Sequence, residues 1–285
     1  MPELPEVQTV VSTLAPRIGG ARVRRVQLNR TDIVSPMGID LAGRMQGRTI
    51  TAVDRRAKRI VFTVDDCDRF YIHLGMSGQL TLAAPGAEVK PHTHLVVTLD
   101  VAGKAVELRF RDPRRFGGVF WLGCERADGG LGPEPLTLRP ATLAKALSHT
   151  RRPIKAALLD QQVIAGIGNI YADESLFSAG VHPLTLANML TIEDVSRLNR
   201  GIKRVLRRAI AARGSTLRDY VNADNAPGEY RSKHQVYGRE GEPCRNCKTT
   251  IERIVLTGRS TCFCPRCQPS PRAARSTAQK QARKK

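Results

Sequence analysis

Two C-x-x-C units, Cys244-Arg245-Asn246-Cys247 and Cys264-Pro265-Arg266-Cys267, stand sixteen residues apart near the end of the chain. Each unit turns two thiolates towards one point, and two units close a tetrahedron around Zn²⁺. A segment this small cannot bury a core of its own, so the metal must help to fold it. Four thiolates leave no open coordination position, so the one zinc implied here is structural. The intervening residues 250–263 predict a β-hairpin with Arg259 at its tip. Cys262 falls outside the spacing and reads as a strand residue. The other two cysteines, Cys67 and Cys124, are isolated in sequence.

The chain has 46 basic and 26 acidic residues among 285, a formal charge of +20. A field of that sign attracts polyanions and releases their counterions, so nucleic acid is the expected partner. No apolar run approaches the ~20 residues of a membrane helix, and the acidic start Met1-Pro2-Glu3-Leu4-Pro5-Glu6 is unlike a secretion signal. An intracellular protein without a membrane partner is expected.

Residues 5–18 have helical periodicity, with Val7, Val10, Val11, Leu14 and Ile18 on one face; Pro16 and Gly19-Gly20 are expected to end the element. Short β runs follow at 60–64, 69–74, 79–82, 95–99, 105–110 and 118–122, which predicts an antiparallel sandwich or barrel. Residues 129–140 have the glycine and proline content of a hinge. Beyond them the pattern is helical. Thr191 and Asp194 are placed as a capping box, and Val195, Leu198, Ile202, Val205, Leu206, Ala209 and Ile210 form a stripe that stops before Gly214. The opposite face carries Arg197, Arg200, Arg204, Arg207 and Arg208. The expected domains are 1–130, a hinge at 131–140, a helical domain at 141–239, the cysteine module at 240–268 and a disordered basic tail at 269–285.

The N-terminus holds the candidate chemistry. Loss of Met1 would expose the secondary amine of Pro2, and amino termini titrate near pH 8, so a usable fraction is unprotonated at neutral pH. Such an amine can attack a sugar C1′ and form a Schiff base. Glu3 is adjacent as a possible acid, and Glu6 lies one helical turn on.

Pro2-Glu3-Leu4-Pro5-Glu6 and the cysteine module, together with Arg55-Arg56-Ala57-Lys58, His73-Leu74-Gly75-Met76-Ser77-Gly78, Asp112-Pro113-Arg114-Arg115-Phe116-Gly117, Gly166-Ile167-Gly168-Asn169-Ile170-Tyr171 and Gln235-Val236-Tyr237-Gly238-Arg239, resemble the bacterial formamidopyrimidine-DNA glycosylase family. The resemblance covers about residues 1–268. It implies an α+β multidomain fold: an N-terminal antiparallel β-sandwich with flanking helices, a helix–two-turn–helix domain and a C-terminal zinc-finger β-hairpin. DNA would lie between the domains. It implies a bifunctional glycosylase and abasic-site lyase for oxidised purines, acting on double-stranded DNA with oxidised bases or abasic sites. The enzyme would be a monomer in the bacterial cytoplasm, at the nucleoid. The related endonuclease VIII branch, which prefers oxidised pyrimidines, is the alternative.

The resemblance also implies roles. Pro2 is the nucleophile, Glu3 the general acid on the deoxyribose, and Glu6 their support. Lys58 supplies a cation for phosphate and for the lesion side. Met76, Arg114 and Phe116 fill the void left by a flipped base, whose extrusion costs a few kcal/mol. Asn169 and Arg259 hold the phosphates flanking the lesion, with Lys155 and Tyr237 as auxiliary phosphate ligands. His92 and His94, read as sharing a strand face, are packing or phosphate contacts rather than metal ligands. A segment within 215–238 covers the flipped base.

Overall fold

A computed structural model describes residues 2–65, 67–125, 129–216 and 220–270. Contacts divide the chain into two compact units, one of residues 1–129 with 209–231 and one of residues 130–208 with 232–285. This division differs from the expected domains. Residues 209–231, read from sequence as part of the helical domain, belong with the N-terminal unit because Tyr220 and Ala223 enter its apolar core. The basic tail expected at 269–285 falls, beyond residue 270, outside the described residues.

The first unit opens with α1 (Leu4–Ile18). Pro5 costs nothing in its first turn, where the missing N–H would have had no partner. Glu3 and Glu6 close a reciprocal capping box across the start. Pro16 does not end the helix as expected. It sits in the last turn, and the helix closes at Gly19, whose N–H donates to Ala15 O at 3.0 Å.

After α1 come β1 (Ala21–Leu28), β2 (Val34–Ser35), α2 (Leu41–Met45), β3 (Thr49–Arg56), β4 (Arg59–Val64), β5 (Asp68–His73), β6 (Gln79–Ala83), β7 (Thr93–Val101), β8 (Lys104–Arg111) and β9 (Gly118–Gly123). The nine strands form one hydrogen-bonded sheet in the order β2-β9-β5-β4-β3-β1-β7-β8-β6. All pairings are antiparallel except β2 with β9. The halves β2-β9-β5-β4-β3 and β1-β7-β8-β6 are joined by a short pairing, Ala21 opposite Ile50 and Arg22 opposite Thr49. Phe62, Phe70 and Ile72 from one half and Leu95, Leu99 and Phe110 from the other share one apolar core with α1. This is the two-layer, one-core arrangement of a sandwich.

Cys67 and Cys124, isolated in sequence, are bonded to each other in the structure. The antiparallel register of β5 with β9, with Arg69 opposite Gly123, brings them together.

The second unit contains α3 (Pro140–Ser148), α4 (Ile154–Leu159), α5 (Asn169–Ala179) and most of α6 (Ile192–Ala211), then a hairpin of β10 (Glu252–Leu256) and β11 (Arg259–Phe263). The Thr191–Asp194 capping box is formed, at 3.0 and 3.1 Å. The stripe Val195, Leu198, Ile202, Val205, Leu206 and Ala209 is buried, and the five arginines opposite are exposed. The expected hinge is tied into this unit: Gly132 N–H donates to Gln161 O at 2.8 Å, and Asn199 Nδ2 donates to Leu138 O at 3.1 Å.

Candidate functional site

In the first unit the antiparallel order puts the end of β3, the start of β4, the end of β5 and the start of β9 at one end of the sheet. Lys58 occupies the β3–β4 turn, next to Ala57 with a left-handed φ of 54°. Arg55 Nε donates to Gln8 Oε1 at 2.8 Å, so this turn is held beside α1. Opposite Arg59 stands His73, followed by the Gly75–Gly78 turn that carries Met76. Burial first, and then the positive Lys58 and Arg59, hold the His73 imidazole below its ordinary value. A neutral ring suits its contact, because Nδ1 accepts from Gly75 N–H at 3.1 Å.

The segment between β8 and β9 carries Arg114 and Phe116 to the same place. Gly75 has a φ of +58°, and a Cβ there would lie 2.4 Å from Gly117 N and Phe116 C, so only glycine lets the two turns approach. Met76 is 41% exposed and Phe116 58%, and the Arg114 guanidinium lies 5.0 Å from the centre of the Phe116 ring. Three side chains expected to act together are thus neighbours on the surface.

Pro2, Glu3 and Glu6 are buried at the start of α1; Met1 lies outside the described residues. Glu6 is the organiser. Its Oε2 accepts from Glu3 N–H at 2.8 Å, its Oε1 accepts from Ser215 N–H at 2.7 Å, and its carbonyl accepts from Tyr220 Oη–H at 3.1 Å. The Pro2–Glu3 peptide and Ser215 are therefore fixed to one carboxylate, and Tyr220 to the carbonyl of the same residue. Gly214 is required there. Its φ is +77°, and a Cβ would approach Glu6 Oε1 to 2.8 Å. Leu82 N–H donates to Ala223 O at 3.1 Å, and Arg17 pairs with Asp224, so the segment expected to cover a flipped base is also tied to β6 and α1.

The expectation for the two histidines needs correction. His92 precedes β7, is exposed and has a φ of +67°. His94 is buried in an irregularity of β7, and its Nε2 donates to Asp112 O at 2.9 Å. They do not share a face.

In the second unit Asn169 opens α5, an end that favours anions through the helix dipole. Its Nδ2 donates to Ser260 O at 3.0 Å. Ser260 follows Arg259, which is exposed beside the two-residue turn Thr257-Gly258, both with positive φ. The two expected phosphate contacts are therefore joined through one residue.

Lys155 contradicts its expected role as a phosphate ligand. Its side chain is fully buried. Nζ pairs with Asp173 Oδ1 at 2.7 Å and donates to Ser260 O at 2.7 Å and Thr261 Oγ1 at 2.9 Å. The ammonium is enclosed by these three oxygens, with its charge paired inside the protein. Lys155 ties α4 to α5 and the finger instead. Burial pushes the Asp173 carboxyl up to about 7, against the pull of Lys155.

The sequence reading also missed Glu174. Its carboxylate accepts from the N–H groups of Gln235, Val236 and Tyr237 at 2.9 Å each, which sets the backbone around Tyr237. Burial raises its pKa, while those N–H groups pull it down. Two adjacent acids in a helix with no basic residue were the available signal.

The four module cysteines converge. Their sulfurs all lie within 4.8 Å of one another, with Cys244–Cys267 at 4.0 Å and Cys247–Cys264 at 3.4 Å. Tetrahedral zinc with bonds of about 2.3 Å needs sulfurs about 3.8 Å apart, so the donor set fits one structural zinc ion. Cys262 is buried in β11 and takes no part; its N–H donates to Asp173 Oδ2 at 3.0 Å.

Comparison with known proteins agrees with this geometry. Residues 1–119 match the model of the formamidopyrimidine-DNA glycosylase N-terminal domain, 131–221 its H2TH domain, and 241–269 a zinc finger found in that glycosylase and in IleRS. The chain is 45% identical to formamidopyrimidine-DNA glycosylase of Chloroflexus aggregans, over 94% of this chain and 98% of that one. It is 46% identical to that of Rhizorhabdus wittichii, over 94% and 100%. A complex of Lactococcus lactis Fpg with DNA containing an abasic site superposes with a TM-score of 0.87 at 33% identity, covering 94% of this chain and all of that one. The MutM (Fpg) protein of Thermus thermophilus gives 0.82 at 40% identity, covering 95% and 100%. Among the described residues no helix is long and apolar enough to cross a membrane.

Proposed function

Because the chain belongs to the formamidopyrimidine-DNA glycosylase family, we propose that it excises oxidised purines from double-stranded DNA, chiefly 8-oxoguanine opposite cytosine and formamidopyrimidines, and then cleaves the strand at the abasic site. It does so on chromosomal DNA in the bacterial cytoplasm. Solved complexes of the Lactococcus lactis relative contain Fapy-dG or abasic DNA, which supports the lesion class.

The observation that carries the mechanism is the start of α1, where Glu6 fixes the Glu3 amide beside Pro2. After removal of Met1, the Pro2 nitrogen attacks C1′ of the damaged nucleotide. The C1′–base bond breaks, and the base leaves with its electron pair and takes up the proton that the Pro2 amine gives up. Glu3 supplies a proton to the deoxyribose as the ring opens. The product is an iminium between Pro2 and C1′. Loss of a C2′ proton expels the 3′ phosphate, a second elimination expels the 5′ phosphate, and a one-nucleotide gap remains. Lys58 offers its charge to a phosphate and to the lesion side.

Met76, Arg114 and Phe116 occupy the void after base flipping, and Asn169 and Arg259 take the flanking phosphates. Tyr237 and the exposed His92 are further phosphate contacts. The zinc ion, held by Cys244, Cys247, Cys264 and Cys267, folds the finger that presents Arg259. Borohydride should trap a covalent adduct at Pro2 on an 8-oxoguanine:cytosine duplex. An adduct only on oxidised-pyrimidine duplex would assign the endonuclease VIII branch instead. Trapping by a protein with a blocked proline nitrogen would refute the nucleophile.

A further inference from the structure

Asp112 is an acid that the mechanism leaves without a task. It directly follows β8 and is 1% exposed. Its Oδ1 accepts from Ser77 Oγ–H at 2.6 Å, and its Oδ2 accepts from Gly117 N–H at 2.8 Å. Its N–H donates to His92 O at 3.0 Å, and its carbonyl accepts from Arg115 N–H at 3.2 Å and His94 Nε2–H at 2.9 Å. Ser77 Oγ in turn accepts from Arg114 N–H at 3.3 Å.

The placement of these partners is informative. Ser77 follows Met76, Gly117 follows Phe116, and the Arg114 N–H is held directly by Ser77. Each exposed void-filling residue is therefore anchored, through its own backbone or through the residue that follows it, to the buried Asp112–Ser77 pair. Arg115, between Arg114 and Phe116, is in the left-handed region with a φ of 54°, a conformation unfavourable for a residue with a side chain. Its own N–H and that of Gly117 both donate to Asp112, which offsets that cost and keeps the turn in one form. Without such anchors, two surface turns would have to be ordered as DNA binds, at a cost in backbone entropy for each residue fixed.

We infer that Asp112 is a positioning residue that presets the Met76 turn and the Arg114–Phe116 turn as one rigid wedge, so that the void left by a flipped base is filled without a further ordering step. The inference rests on the void-filling reading given above. Asp112 touches no substrate; it acts through the three side chains.

The test compares excision of 8-oxoguanine from a cytosine-paired duplex with cleavage of a single-stranded abasic oligonucleotide, which has no stack to wedge. Both are measured under single turnover, with the active fraction fixed by borohydride trapping on the single strand. The ratio of the two rates is the readout, so partial misfolding cancels. Asp112→Ala should lower the ratio tenfold or more. Asp112→Asn should recover most of it, because the amide oxygen can accept from Gly117 while its NH₂ donates to Ser77 Oγ. Ser77→Ala should lower the ratio about threefold, and it leaves the Asp112–Gly117 bond in place, so it serves if Asp112→Ala does not fold. Met76→Ala and Phe116→Ala calibrate the assay. If they lower the ratio and neither Asp112→Ala nor Ser77→Ala does, Asp112 is not a positioning residue. If Met76→Ala and Phe116→Ala leave the ratio intact, the void-filling reading fails and takes the inference with it.

Discussion

Replacing Glu6 by glutamine should loosen the reactive end of the protein while barely changing its shape. The carboxylate accepts two backbone N–H groups at once, from Glu3 at 2.8 Å and from Ser215 at 2.7 Å, in a site where Glu6 is 1% exposed. An amide has one oxygen. Whichever N–H it keeps, its NH₂ faces the other, which is left buried without an acceptor. A hydrogen bond to a charged group contributes about 1.5–3 kcal/mol, and removal of a buried charge returns part of that. The expected net loss is about 2 kcal/mol, read as a shift in urea midpoint at constant slope. The same variant should trap more slowly on single-stranded abasic DNA, because either the Pro2–Glu3 peptide or residue 215 has lost its anchor. A loss below about 0.5 kcal/mol together with unchanged trapping would refute the claim that this carboxylate organises the N-terminus.

Three further outcomes follow from the same reasoning. His73 has a folded pKa below its ordinary 6.5, so as pH falls the unfolded chain takes its proton first. Its contribution to stability is present above 6.5 and is lost as pH falls through the folded value; His73→Gln should flatten urea-derived stability across that window. Lys155→Met leaves Asp173 buried without its cation and should cost about 3–5 kcal/mol, and adding Asp173→Asn should recover much of it in a double-mutant cycle. Cys264→Ser should release zinc to a chromogenic chelator and weaken DNA binding; full activity in a zinc-free preparation would remove the finger from the reading.

The legibility of this fold varied with what each segment exposes. Residues 60–64 and 95–99 were readable because β-branched and aromatic side chains dominate them. β1 and β3 were not, since Arg22, Arg24 and Arg25 in one and Asp54, Arg55 and Arg56 in the other break up the alternation. α2 was hidden by Gly43 inside a helix of five residues. The residues that meet substrate in the proposed mechanism sit in turns with distinctive composition, and these stood out. Those that hold them in place did not. Ser77 and Asp112 lie within recognisable motifs, but they are 35 residues apart and only the pairing of β6 with β8 brings them together. Lys155 was misread because charge alone does not tell a solvated ammonium from one enclosed by three acceptors.

Helix α5 has an angular consequence. Asn169 reaches the finger through Ser260, Asp173 meets Lys155 and the Cys262 amide, and Glu174 grips three amides of residues 235–237. Successive residues of an α-helix are about 100° apart, so Asn169 and Asp173, four residues apart, share the face turned to the finger, while Glu174 points about 100° round the axis from Asp173. A rotation of the helix by one residue would break every one of these ties together. α5 therefore behaves as a keyed shaft with a single permitted angle. Insertion or deletion of one residue between 169 and 174 should be far more damaging to this unit than most substitutions on its surface.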